Sequence, residues 1–113
     1  LLNTAGGATW AVAFADMQDP AQVGPVLTEL RRAAADNLSA APAQVLSLKV
    51  EGATPNPASE RVQFRGRRPD GRAVVEQVAV CAKGMRVFQA GAVGEKLDAE
   101  AADVFFGSLQ LAP

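Results

Sequence analysis

Residues 59–92 constrain the fold more than any other part of the chain, because they contain three alternating segments separated by two short turn signals. The segments cover residues 59–67, 73–82 and 85–92, and their period of two is typical of strands. In Pro69-Asp70-Gly71, glycine supplies the positive φ that a tight hairpin needs. Lys83-Gly84 indicates a second turn. The sequence therefore predicts an antiparallel meander of three strands.

Two further strands and a helix are predicted upstream of this meander. Residues 9–15 alternate bulky side chains with alanine, and residues 45–51 alternate again. Between them, Asp19-Pro20 is a typical helix start, with apolar residues at helical spacing as far as Leu38. Because the residue before a proline avoids the helical region, we expect the regular helix to begin only at Pro25.

Asp98 can cap a last helix near the end of the chain. The predicted order is therefore β-α-β-β-β-β-α, in the α+β class, with a mostly antiparallel sheet covered by two helices. We expect one domain over residues 1–113. Aromatic residues make up only 5% of the chain. The predicted core has nine large members: Trp10, Val12, Phe14, Leu27, Leu30, Phe64, Phe88, Phe105 and Leu109.

The composition excludes much familiar chemistry. The chain has no histidine and one cysteine, so it has no Ser–His–Asp triad, no Cys–His pair and no histidine-based zinc site. We therefore expect no catalytic residues, no cofactor and no metal, and we expect Cys81 to be buried and inert. The formal net charge of −1 gives no field to attract nucleic acid. No apolar run reaches the ~18 residues of a membrane span.

The first residue of the chain is Leu1 and not methionine. We expect that residues upstream of it have been removed, and a cleaved secretion signal is one explanation. A lipid anchor, if there is one, would lie in that upstream segment.

Nearly the whole chain resembles the PsbP-like fold, especially its DcrB-like and bacterial lipoprotein branch, and the segment from Trp10 to Asp16 with the long helix after it fits the same scheme. The resemblance depends on five short segments: Val62-Gln63-Phe64-Arg65, Pro69-Asp70-Gly71, Gly84-Met85-Arg86-Val87-Phe88, Asp98-Ala99-Glu100 and Phe105-Phe106-Gly107-Ser108-Leu109. It implies a scaffold used by envelope proteins, assembly factors, chaperones and adaptors, with no general enzymatic mechanism. The hairpin that usually precedes the strand of Trp10 is expected to be absent or truncated.

Arginines concentrate around the Pro69-Asp70-Gly71 turn. We predict that four of them bind a protein partner: Arg65, Arg67, Arg68 and Arg72. The alternative is a solvated strand face and edge, where charge deters edge-to-edge aggregation. One hairpin register places Arg65 opposite Glu76, and a shift by one residue breaks that pair. The sequence leaves both choices open.

The leading hypothesis is a non-enzymatic binding or assembly module of the bacterial periplasm or cell envelope that acts through a protein partner. One alternative is an intracellular, cytoplasmic chaperone or adaptor with the same fold. Another is a small-ligand-binding domain with a pocket between helix and sheet, which convergent polar groups in a deep pocket would favour. The sequence indicates neither the identity of the partner nor the oligomeric state.

Overall fold

The computed structural model describes residues 2–5, 8–37, 42–46 and 48–109. These residues form six strands, two α-helices and one 3₁₀ turn, Pro20–Gln22. In chain order the strands and helices are β1 Leu2–Ala5, β2 Ala8–Asp16, α1 Val23–Asn37, β3 Pro42–Leu46, β4 Glu60–Arg67, β5 Ala73–Lys83, β6 Arg86–Gly94 and α2 Ala99–Gly107. The predicted α+β class, a mostly antiparallel sheet covered by two helices, is confirmed.

The strands form one sheet in the order β1-β2-β6-β5-β4-β3, and every neighbouring pair is antiparallel. β4, β5 and β6 are the predicted meander. β2 pairs with β6 along its whole length, from Ala8 opposite Gly94 to Asp16 opposite Arg86. The second strand of the N-terminal hairpin is therefore paired directly with the last strand of the chain.

Two strands differ from the sequence prediction. β1 is absent from the predicted order of elements, and it pairs with β2 over four residues to form a short hairpin, which agrees with the expectation of an absent or truncated one. The predicted strand over residues 45–51 is wrong in its bounds, since β3 ends at Leu46. Its register against β4 shifts between Pro42 and Gln44, so side-chain alternation does not mark this strand clearly.

The helix α1 starts earlier than expected. The side chain of Asp19 accepts a hydrogen bond from the Ala21 amide at 2.9 Å and caps the 3₁₀ turn, which continues into α1 at Val23. Pro25 lies in the first turn of α1, where backbone N–H groups have no partner within the helix. A proline there costs no hydrogen bond, so the expected start at Pro25 is wrong.

The two helices cover opposite faces of the sheet. Leu27 of α1 packs in a cluster with Val62, Phe64, Val80 and Val87, all of them at most 1% exposed. On the other face, α2 buries Ala102 and Phe106 against small residues of the central strands: Ala79, Ala90 and Ala92. Because adjacent residues of a strand point to opposite faces, Val80 and Ala79 belong to different clusters. We refer to these surfaces as the α1 face and the α2 face.

The core prediction is confirmed for Leu27 and Phe64, and is wrong for Phe14, which is 60% exposed. The cluster under α2 includes Trp10 and Val12 but ends before Phe14. In α2 the fully buried aromatic residue is Phe106, while its neighbour Phe105 is half-buried against Trp10. The other predicted core residues are also half-buried: Trp10, Val12, Leu30, Phe88 and Leu109.

Within the described ranges, neither helix is long and apolar enough to cross a membrane.

Candidate functional site

The turn between β4 and β5 is closed by backbone hydrogen bonds. The amide of Arg68 donates to the carbonyl of Arg72 at 2.9 Å, and the amide of Gly71 donates to the carbonyl of Arg68 at 2.9 Å. Gly71 has φ +87°, a conformation that other residues rarely adopt. The turn therefore has a defined shape, as the Pro69-Asp70-Gly71 signal predicts.

All four predicted partner-binding arginines are exposed at this end of the sheet: Arg65, Arg67, Arg68 and Arg72. The guanidinium of Arg67 donates to the Gly71 carbonyl at 2.9 Å. That of Arg72 lies 3.5 Å from Glu95 and 3.7 Å from Asp70. Among the described residues, Arg65 and Arg68 form no ion pair.

The register of the β4–β5 hairpin shows whether Arg65 pairs with Glu76, which the sequence leaves open. Arg65 lies opposite Val75, and Glu76 lies opposite Phe64. The cross-strand pair of Arg65 with Glu76 is therefore absent, because directly opposite residues share a face of the sheet and these two do not. Arg65 has no carboxylate opposite it, and its charge remains available to solvent.

Glu76 itself is half-buried on the α1 face. Burial raises the pKa of this carboxyl above its ordinary value of 4.5. Within the described part of the chain it forms no ion pair. The charged carboxylate of Glu76 therefore lowers the stability of the fold at neutral pH, and Glu76 does not belong to the arginine cluster.

The charges around the turn form a basic patch on a chain that is slightly acidic as a whole. A shallow depression beside Arg72 is lined by Ala73, Glu95 and Lys96. We define the hairpin surface as five basic and two acidic side chains: Arg65, Arg67, Arg68, Arg72, Lys96, Asp70 and Glu95. This surface is suited to carboxylates or phosphates, which guanidinium groups bind with directed hydrogen bonds.

Arg61, at the other end of β4, has a different environment. It is only 6% exposed, and its guanidinium stacks over the Phe106 ring at 4.5 Å. Its Nε and Nη2 donate to Oε1 of Gln77 at 3.0 and 2.6 Å, and Nη2 also donates to Oδ1 of Asp103 at 2.9 Å. Gln77 in turn donates to Oε1 of Gln63 at 3.0 Å. We call these four polar residues (Arg61, Gln63, Gln77 and Asp103) the Arg61 network.

A cleft of about 440 Å³ opens beside the Arg61 network, between the C-terminal half of α2 and the segment that follows β3. Its lining has three cleft-facing apolar side chains, one glycine and three charged residues: Leu46, Leu48, Phe106, Gly107, Lys49, Arg61 and Asp103. Sequence reasoning did not identify this site. The alternation of β4 does place Arg61 on the α2 face, but nothing in the sequence shows that α2 lies close to Leu48 and Lys49 there.

Cys81 is buried and unbonded, as expected, and burial raises the pKa of its thiol. This favours the protonated, unreactive form. Two other polar atoms are fully buried without a hydrogen-bond partner in the described part of the chain, namely Ser59 Oγ and Lys83 Nζ. Neither lines the cleft.

Comparisons of the chain with protein-family models, with curated proteins and with solved structures found no match. The resemblance to the PsbP-like fold therefore stays a prediction. Within the described residues, no group of three or more Cys, Asp or Glu side chains could hold a metal ion. The hairpin surface and the cleft are the candidate sites in the described part of the chain.

Proposed function

We propose that this domain is a non-enzymatic binding module that captures an acidic protein partner through the hairpin surface. The observation that carries the proposal is the state of Arg65 and Arg68, two exposed guanidinium groups with no ion pair among the described residues. An arginine without an intramolecular acid keeps its donors available for a carboxylate of another molecule.

The rigidity of the turn supports this proposal. The closing hydrogen bonds of residues 68–72 fix the backbone from which the arginines project. A defined backbone lowers the ordering cost of association. The patch is also local, since the formal net charge of the chain is −1. Attraction to the partner should therefore depend on this one end of the sheet and fall steeply with salt.

The alternative is that these arginines only protect a strand edge. β3 pairs with β4 no further than Phe64, so the stretch from Arg65 to Arg67 has no described strand on its outer side. Charged side chains at such an edge deter unwanted pairing. This explanation covers Arg65 and Arg67 but does not require Arg68, which lies in the turn.

We place this module in the bacterial cell envelope, on the strength of the PsbP-like resemblance alone. The second candidate, a cytoplasmic chaperone or adaptor, would use the same hairpin surface. Fractionation of cells that produce the protein from its full-length gene separates the two. Recovery in the periplasmic or membrane fraction supports the envelope, and recovery in the cytoplasm alone contradicts it.

The binding function is tested by the double variant Arg65→Glu/Arg68→Glu in a pull-down from extract of the native host. We expect it to lose at low salt the partners that the original protein captures, and to show little remaining salt dependence. The matched control is Arg32→Glu/Arg86→Glu, which changes the charge equally. Those arginines are also exposed, but they already pair with Glu29, Asp36 and Asp16.

Circular dichroism must show that both double variants are folded. Loss of capture in the hairpin variant but not in the control supports the proposal. Equal capture by all three proteins, at low and at moderate salt, contradicts it and leaves edge protection as the role of these arginines.

A further inference from the structure

The cleft beside the Arg61 network holds a charged side chain that is built into the fold. Arg61 is 94% buried by the sheet and α2, and its position is fixed from two sides by Gln77 and Asp103. Burying a guanidinium is costly unless its donors are satisfied. A buried arginine at the wall of a cleft is therefore a more specific feature than an exposed arginine on the hairpin surface.

The hydrogen bonds of Arg61 leave part of its donor capacity unused. A guanidinium has five N–H donors. Nε and Nη2 serve Gln77 and Asp103, while Nη1 has no acceptor among the described residues. The fully buried polar atoms without a partner do not include Nη1, so it keeps contact with solvent. Arg61 lines the cleft, so Nη1 is the donor that we expect an anion there to use.

The charges of the lining indicate a single negative charge on the ligand. Lys49 and Arg61 are basic and Asp103 is acidic, which leaves one positive charge in excess. The Asp103 side chain is 72% exposed and already bonded to Arg61 Nη2, so it keeps its own charge largely in water. Lys49 is exposed on the opposite wall and can move its ammonium toward the cleft.

The uncharged residues of the lining indicate that the rest of the ligand is apolar. Leu46, Leu48 and Phe106 form the rest of the side-chain wall. A volume of about 440 Å³ lies in the range of about 300–1,000 Å³ that is usual for small-molecule sites. We propose that this cleft binds a small amphipathic monocarboxylate, whose carboxylate lies between Arg61 Nη1 and Lys49 and whose apolar part packs on the partly exposed side chains of Leu46 and Leu48. This proposal does not depend on the hairpin surface.

Octanoate and N-acetylleucine are suitable probes, because both are monocarboxylates with an apolar body but come from different chemical sources, acyl chains and amino acids. Octanol and inorganic phosphate are the controls, since each lacks one half of the proposed chemistry. Binding is followed by ¹H–¹⁵N chemical shifts of the backbone amides. We expect saturable shifts for at least one probe, centred on residues 48–49, 61 and 103–107, and the stronger probe identifies the source.

Two variants test the two cations. Lys49→Glu changes an exposed residue and should leave the fold intact, and we expect it to weaken binding of the carboxylate probe about fivefold. Arg61→Met removes a charge-assisted hydrogen bond, and we expect a loss of about tenfold to a hundredfold. Lys96→Glu is the matched control for Lys49→Glu, because Lys96 is exposed and lines a different depression.

The outcomes are distinct. Saturable binding that falls in Lys49→Glu but not in Lys96→Glu supports the proposal, even if Arg61→Met proves unstable. Equal shifts with octanol contradict it, because the cleft would then be only an apolar site. Equal shifts with phosphate contradict it as well, because the apolar wall would play no part. Shifts that do not saturate, or that spread over the surface, also contradict it.

Discussion

The two faces of the sheet are built from different kinds of residue. On the α1 face, Leu27, Phe64 and Val80 are completely buried, and the polar residue Glu76 is only half-buried. On the α2 face the buried strand residues are mostly alanines, and a buried arginine and glutamine lie among them. The buried residues under α1 are apolar, whereas those on the α2 face include Arg61 and Gln77 of the Arg61 network.

This difference separates stability from binding. Apolar side chains that interdigitate without a polar partner contribute through the area they remove from water. A hydrogen-bonded arginine gives little net stability relative to apolar residues of similar volume, because desolvation offsets its interactions. We therefore expect the apolar residues of both faces to supply most of the stability, and the Arg61 network of the α2 face to contribute little to it and to be available for the proposed binding.

The largest expected effect is that of Phe64→Ala on the α1 face. Phe64 is 0% exposed, so its removal leaves a cavity and should lower the free energy of unfolding by about 3–5 kcal/mol. Phe14→Ala is the control on the outer part of the α2 face. Phe14 is 60% exposed beside Arg86, and its loss should cost less than about 1 kcal/mol. Urea denaturation measures both, and similar losses would remove the contrast between the faces.

A smaller effect is expected for Glu76→Gln, and it should depend on pH. Burial raises the folded-state pKa of Glu76 above 4.5, so protonation favours the fold. The stabilising contribution is present below pH 4.5 and is lost as pH rises through the raised pKa. At neutral pH the variant should therefore be more stable, by less than about 1 kcal/mol because solvent screens this half-buried carboxyl. Below pH 4.5 the gain should vanish.

Glu29→Gln is the matched control with the opposite sign. Its hydrogen bond with Arg32 lowers the pKa of Glu29, so the charged form favours the fold, and that contribution is present above pH 4.5 and lost as pH falls. This variant should be less stable than the original protein at neutral pH. Thermal unfolding at neutral and at acid pH compares the two, and a loss of stability in Glu76→Gln at neutral pH would contradict the account of Glu76.

The sequence predicts the meander well, because its signals are local. Alternation and a glycine with positive φ suffice to place β4, β5 and the turn that holds Gly71. The bounds of β3 are predicted poorly, since a register shift against β4 interrupts the alternation. The predicted burial of Phe14 is wrong for another reason. Its alternation with alanine shows which face of the sheet it occupies, but not how far α2 extends over that face.

The candidate sites divide in the same way. The hairpin arginines are visible in the sequence because they cluster around one turn. The cleft is not, because Arg61 meets Asp103 from a distance of 42 residues along the chain. Such a contact depends on how α2 docks on the sheet, and no local pattern contains that information. The hairpin register is set locally by the turn, but the sequence does not specify it to one residue, and a shift of one residue decides whether Arg65 faces Glu76.

The separation of stability from binding is tested most directly by the double variant Arg61→Met/Gln77→Leu. This variant replaces the two buried members of the network by apolar residues of similar volume. Gln63 and Asp103 each lose a partner, but both reach solvent, so the free energy of unfolding should change by no more than about 1 kcal/mol. Binding of octanoate or N-acetylleucine, followed by amide chemical shifts, should fall at least about tenfold. A loss of stability as large as that of Phe64→Ala would contradict the account, because the Arg61 network would then hold the fold together.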